Sequence, residues 1–147
     1  MISRIFLAFS LLLAACGNTP QACPENASGT TDIVGVTWYL RFIERVNDTE
    51  AEAPSDPLRY TLVLGADGSA SMLVSCRRCG TNYDVCGSKI GFDEEVLCTE
   101  ALCLPQQPLD TDYLKLLAPA DTLLRTGPYL VLSSAQGKLW FTRSPNE

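Results

Sequence analysis

"YTLVLGADGSASMLVSC", Tyr60–Cys76, sets the fold class. Two runs rich in large apolar and β-forming residues flank Ala66-Asp67-Gly68. Asp-Gly between such runs is a strong hairpin signal, because glycine reaches positive φ without a Cβ clash. The β pattern extends upstream into "VGVTWYLRF", where Val36, Trp38, Leu40 and Phe42 alternate with Thr37, Tyr39 and Arg41. That period of two is that of a half-buried strand, and it predicts Trp38, Leu40 and Phe42 together on the core face. Between the two, "NDTEAEAPSDP" (Asn47–Pro57) carries acids and prolines and reads as a solvated loop.

Downstream, Tyr83–Val85 and Lys89–Phe92 predict a second hairpin about Gly87-Ser88. One helix is predicted in "LDTDYLKLLAPAD", with Leu109, Tyr113, Leu116 and Leu117 on one face, Asp110 or Thr111 as its cap, and Pro119 as its stop. The remaining "TLLRTGPYLVLSSAQGKLWFTR" (Thr122–Arg143) predicts three short strands with turns at Gly127-Pro128 and Ser134–Gly137. Strands outnumber helices, so the expected class is α+β, β-rich, with a curved antiparallel sheet. Trp38 and Trp140 are expected as core or sheet-face residues.

At the N-terminus, "MISRIFLAFSLLLAAC" joins a positive Arg4 to a short apolar run ending in Leu13-Ala14-Ala15-Cys16. The run is shorter than the roughly 20 residues a spanning helix needs, and it reads as the core of a signal peptide. "LAAC" resembles a bacterial lipobox. That implies cleavage after Ala15, a lipidated Cys16 carrying diacylglycerol and a further acyl chain such as palmitate, and a membrane anchor built from several chains. The expected organisation is a signal peptide over 1–15, a tether over 16–33 and one domain over 34–147. Gly17 after the cysteine favours the outer membrane, facing the periplasm.

Loss of residues 1–15 leaves 132 residues with ten Lys and Arg against 17 Asp and Glu, a net charge near −7. An acidic chain argues against nucleic acid as a partner. No histidine occurs, which removes Ser-His-Asp and Cys-His catalysis and the commonest zinc ligand. The acids of "FDEEV" (Phe92–Val96) lack the alternating loop spacing of a calcium site. Asp110 and Asp112 are explained by the positive end of a helix dipole. The sequons at Asn26 and Asn47 are read as unmodified surface asparagines.

Six cysteines remain beside Cys16: Cys23, Cys76, Cys79, Cys86, Cys98 and Cys103. An even number in an oxidising compartment reads as three disulfides with 15 possible connectivities. The competing zinc reading of Cys76, Cys79, Cys98 and Cys103 has a second half with the wrong spacing. A redox "CRRC" would need a helix N-terminus behind it. Neither a metal nor a cofactor is expected.

The order of pieces resembles the META domain family, that of HslJ-like heat-inducible lipoproteins. The resemblance rests on the Trp38 strand, "TLVLGADG" leading into Cys76, Tyr83 before "KIGF", Thr99 to Cys103, "YLKLL" and the terminal "LVLSSAQGKLWFTR". Cys76 and Tyr83 match the family motif, whereas Ser75, Arg77, Cys79 and Thr81 stand where other residues are usual, Ser75 in place of glycine. The resemblance implies a small, partly open barrel and an envelope role linked to heat stress and antibiotic tolerance, with no catalytic activity. It also singles out Cys76 and Cys103 as a pair. Cys79 and Cys98 lie just inside that loop as a second pair, leaving Cys23 for Cys86. The expected function is that of a non-enzymatic envelope lipoprotein acting on an envelope protein partner. The alternative is a binding module for a hydrophobic small molecule or lipid held between sheet and helix.

Overall fold

A computed structural model of the chain describes residues 32–105 and 107–146. The predicted signal peptide, Cys16, Cys23 and nearly all of the tether lie outside the described residues. The hairpins form where the turn chemistry places them. β1 (Thr37–Arg45) pairs with β2 (Tyr60–Leu64), which turns at Gly68, φ 83°, into β3 (Ser69–Val74). β4 (Arg77–Cys86) turns through Gly87-Ser88 into β5 (Lys89–Phe92), and β6 (Leu97–Cys98) is a two-residue strand on β4. After α1 (Pro108–Leu117), β7 (Thr122–Thr126), β8 (Tyr129–Ser134) and β9 (Gly137–Thr142) form a meander that returns to β1.

The expectation of a partly open barrel is corrected: the barrel is closed. Around the ring the order is β3-β2-β1-β9-β8-β7-β5-β4, and β4 pairs back onto β3 from Ser69↔Asn82 to Val74↔Arg77. The closing strand lies in "RRCGTNYDVC", whose arginines, glycine and cysteines hide a strand of ten residues. Only its last third carries an apolar signature. β5 and β7 meet at a single register pair, Lys89↔Thr122, reinforced by Ile90 N–H to the Asp121 carbonyl (3.2 Å) and Leu123 N–H to the Ser88 carbonyl (2.8 Å).

A second correction concerns β1. A bulge between Leu40 and Phe42 shifts the register on β9, so Ile43 takes the inward position predicted for Phe42. Trp38, Leu40 and Ile43 are fully buried, whereas Phe42 is half-buried on the outside, stacked on Trp140 with ring centroids 5.2 Å apart. An inserted residue reverses every side chain after it, because the strand period is two. At the far end of this pair, Arg45 lies opposite Gly137, where a Cβ would overlap the Glu44 carbonyl oxygen. Glycine at 137 is therefore required by close approach as well as by its φ of 152°.

The interior is filled. Leu62, Leu64, Leu130, Leu132, Leu139 and Phe141 point inward from the strands, and Leu109, Tyr113 and Leu117 of α1 pack against them. α1 sits at the end of the barrel where β1 finishes, as the Arg45–Asp112 ion pair at 2.6 Å shows. Its N-cap is Gln107, not Asp110 or Thr111, and Pro108 occupies the first turn, where no N–H is missed. The opposite end, where β1 begins, is closed by Ile33, fully buried, whose carbonyl accepts from Trp38 Nε1 at 3.0 Å. Ile33 thus belongs to the core, although composition assigns it to the tether.

Candidate functional site

The start of β4 carries two disulfides. Cys76 bonds to Cys103 and Cys79 to Cys98, the second pair facing each other directly in the β4–β6 register. Cys86 is also disulfide-bonded, while its predicted partner Cys23 lies outside the described residues. The four sulfurs of the zinc reading are consumed in pairs, and among the described residues no cluster suits a metal ion. Cys79 sits within strand β4 and not at a helix N-terminus, the setting that would activate a thiol.

Beside these bonds lies a buried polar network. The Tyr60 hydroxyl donates to Asp110 Oδ1 at 2.5 Å, and both residues are almost wholly buried. Asp110 Oδ2 also accepts from the Gln107 N–H, at 3.5 Å. Burial, and next the hydrogen bond to Asp110, push the Tyr60 phenol well above its usual range. Burial alone does the same to Tyr113, whose hydroxyl donates to the Thr61 carbonyl at 3.0 Å. Ser75 turns the chain from β3 into β4 at φ 62°, which explains a preference for glycine there. Its hydroxyl accepts from Arg59 at 2.9 Å, and its N–H donates to the Arg59 carbonyl at 2.8 Å. Arg45 ties Asp48, Glu52 and Asp112 together at 2.6–2.9 Å, fixing the acidic loop on α1. These contacts hold phenols protonated and carboxylates bridged, which is the chemistry of a rigid cap.

From this cap the segment 97–104 projects outward. Leu97, Leu102 and Leu104 are 68 %, 83 % and 71 % exposed, although the segment is pinned at Cys98 and Cys103. Scattered exposed leucines need no explanation, but three within eight residues on a braced segment set this stretch apart. The acids Asp93, Glu94 and Glu95 just before it are exposed, and Asp93 accepts from Asn82 at 2.8 Å. They form a solvated loop.

The opposite end carries a constellation absent from the expected site residues. Arg125 continues the inward alternation from Leu123, and Arg143, an exposed residue just past β9, lies at the same end. Their guanidinium carbons lie 4.8 Å and 5.3 Å from the Trp38 ring centroid. Asp32 stands beside both, with Oδ2 3.3 Å from Arg125 Nε and 3.5 Å from Arg143, and its carbonyl accepts from Arg143 at 2.6 Å. The period-two rule carried this signal; the charge obscured it, since arginine in a strand is ordinarily read as solvent-facing.

Three solved structures share this architecture. A protein from Burkholderia xenovorans, solved by NMR, is similar with a TM-score of 0.61 at 22 % identity, over 97 % of this chain and 99 % of that one. A DUF4847 family protein from Bacteroides vulgatus, a crystal structure, reaches 0.58 at 12 % identity, over 80 % of this chain and 99 % of that one. A further NMR structure reaches 0.55 at 17 % identity, over 78 % and 94 %. At these identities the likeness shows the fold. Among curated proteins none matches. The META domain family model matches residues 31–146, which spans the whole barrel from the segment that closes one end to three residues past Arg143, and the chain belongs to the META domain family.

Proposed function

We propose that this META domain protein is a non-enzymatic envelope lipoprotein, anchored through Cys16 in the outer membrane, that acts in envelope integrity or stress tolerance by contacting another envelope protein. The observation that carries the contact is the disulfide-braced segment that exposes Leu97, Leu102 and Leu104. Ordering a flexible segment on binding costs conformational entropy; a segment already pinned avoids much of that cost. The disulfides suit an oxidising compartment, and the lipobox supplies the anchor. The filled space between α1 and the sheet, occupied by Tyr60, Tyr113 and Phe141, weighs against the alternative of a hydrophobic ligand held there.

A photo-crosslinking residue at Leu102, set against one at exposed Lys138 on β9, tests the contact in intact cells. One protein band trapped from position 102, absent from position 138 and lost in Leu97→Asp, is the expected result. Equal capture from both positions, or none, sinks the proposal. Cys16→Ala tests the anchor: the protein should leave the detergent phase and keep its signal peptide. Native mass spectrometry of the purified protein addresses the alternative, which a stoichiometric co-purifying lipid would favour.

A further inference from the structure

We infer that Arg125 and Arg143, seated on Trp38 at the end of the barrel opposite α1, form a binding site for a phosphate or carboxylate group, with Asp32 as its resident internal competitor. Arg125 Nε and NH1 are buried and have no hydrogen-bond partner among the described residues. A buried guanidinium donor without an acceptor is costly, and such groups call for a water or an ion. Asp32 does not meet the need. Its carboxylate lies 3.3 Å from Arg125 Nε, outside hydrogen-bond geometry, and 3.5 Å from Arg143. Charge-assisted pairs close to about 2.7–2.9 Å when they are formed for their own sake.

The stacking geometry explains what is left over. A guanidinium that lies over an aromatic ring uses its face for the ring and keeps its N–H edge for acceptors in its own plane. Trp38 is fully buried and fixed by its Nε1 bond to the Ile33 carbonyl, so it holds both guanidiniums in place. Two positive charges face one half-exposed carboxylate, in a chain whose overall charge is −6. A localised excess of positive charge with free donors suits an oxyanion with two or more oxygens.

Asp32 is separable from the architecture around it. The close bond that fastens this segment is Arg143 to the Asp32 backbone carbonyl at 2.6 Å, and any residue at position 32 supplies that carbonyl. The side-chain carboxylate is therefore not needed for closure, and it occupies the place an incoming anion would take. The inference does not depend on the lipid anchor.

The test uses the protein as purified from cells, mixed with phosphatidylcholine nanodiscs, with the Arg125 Nε–H NMR signal as readout at constant ionic strength. Inorganic phosphate is titrated in one arm, and phosphatidylglycerol is introduced into the discs in the other. Saturation with free phosphate assigns a soluble anion, and a shift only with phosphatidylglycerol assigns a lipid headgroup. In whichever arm binds, Asp32→Asn should tighten binding about five- to tenfold and Arg143→Gln should weaken it about tenfold, each the worth of one charged contact. Asp32→Asn retains the backbone bond and so keeps the test valid if an arginine variant unfolds. Absence of a saturable shift in both arms for both wild type and Asp32→Asn overturns the site. So does binding that Asp32→Asn leaves unchanged.

Discussion

Tyr60 donates its hydroxyl to Asp110 across 50 residues of sequence, joining the first residue of β2 to the first turn of α1 inside the protein. The bond places a carboxylate in the core and gives it one close partner. Tyr60→Phe keeps the ring and removes that partner, leaving Asp110 with the 3.5 Å contact to the Gln107 N–H. The expected loss is about 2–3 kcal/mol in urea denaturation, the cost of stranding a buried charged acceptor. A loss under roughly 0.5 kcal/mol would mean that water reaches Asp110.

Alkaline pH acts on the same region. The Tyr60 and Tyr113 phenols are raised above the ordinary value of 10.0, the first by burial and then by Asp110, the second by burial. Unfolded chains release these protons near that value while the folded protein keeps them, so deprotonation favours unfolding. Their contribution is fully present below about pH 10 and is lost progressively above it, as pH climbs towards the folded values. The urea midpoint, followed from neutral to strongly alkaline pH, should fall in that range, and less steeply in Tyr60→Phe. A flat profile would show the phenols to be solvated.

The bulge in β1 makes neighbouring residues unequal. Ile43→Ala opens a cavity in the barrel interior and should cost about 2–5 kcal/mol. Phe42→Ala removes the outer stack on Trp140 and an edge contact with Tyr129 at 6.2 Å, and should cost roughly 1–2 kcal/mol. A regular strand reverses the order, so the ranking of the two variants by denaturant midpoint tests the register.

The two disulfides are nested, with sequence separations of 27 and 19. With one bridge intact, the loop closed by the other is short. Replacing Cys76 and Cys103 by alanine, or Cys79 and Cys98, should cost about 2–3 kcal/mol for either pair alone. Replacing both pairs should cost about 1 kcal/mol more than the separate losses combined, because the full loop is then released. Additive losses would mean that the unfolded chain stays compact around these positions.

Much of this fold is written in local patterns. Asp67-Gly68, Gly87-Ser88 and Gly127-Pro128 mark turns by their own conformational preferences, and Leu109, Tyr113, Leu116 and Leu117 mark the helix by spacing. What escapes such reading is set by distant partners. Arg77–Asn82 is a strand because β3 lies beside it, not because its residues favour one. The bulge after Leu40 answers to β9, about a hundred residues away. Arg125 alternates inward as legibly as any leucine, but its charge argues for solvent until Trp38 is seen to receive it. Asp32 and Ile33 resemble the polar stretch before them, and only the barrel's need for a closure separates them.

The pairing of β1 with β9 fixes the order in which the molecule can be completed. β1 is made first and β9 last, so one edge of β1 keeps its hydrogen-bonding groups open until synthesis of the domain is nearly finished. An unpaired edge of this kind is a template for wrong association. The hairpins and the nested disulfides draw only on residues up to Cys103 and can form while β9 is still absent. A chain that closes these bridges before β9 is in place would be braced at one end and open along one side, and its exposure to aggregation would last as long as the wait for the final strand.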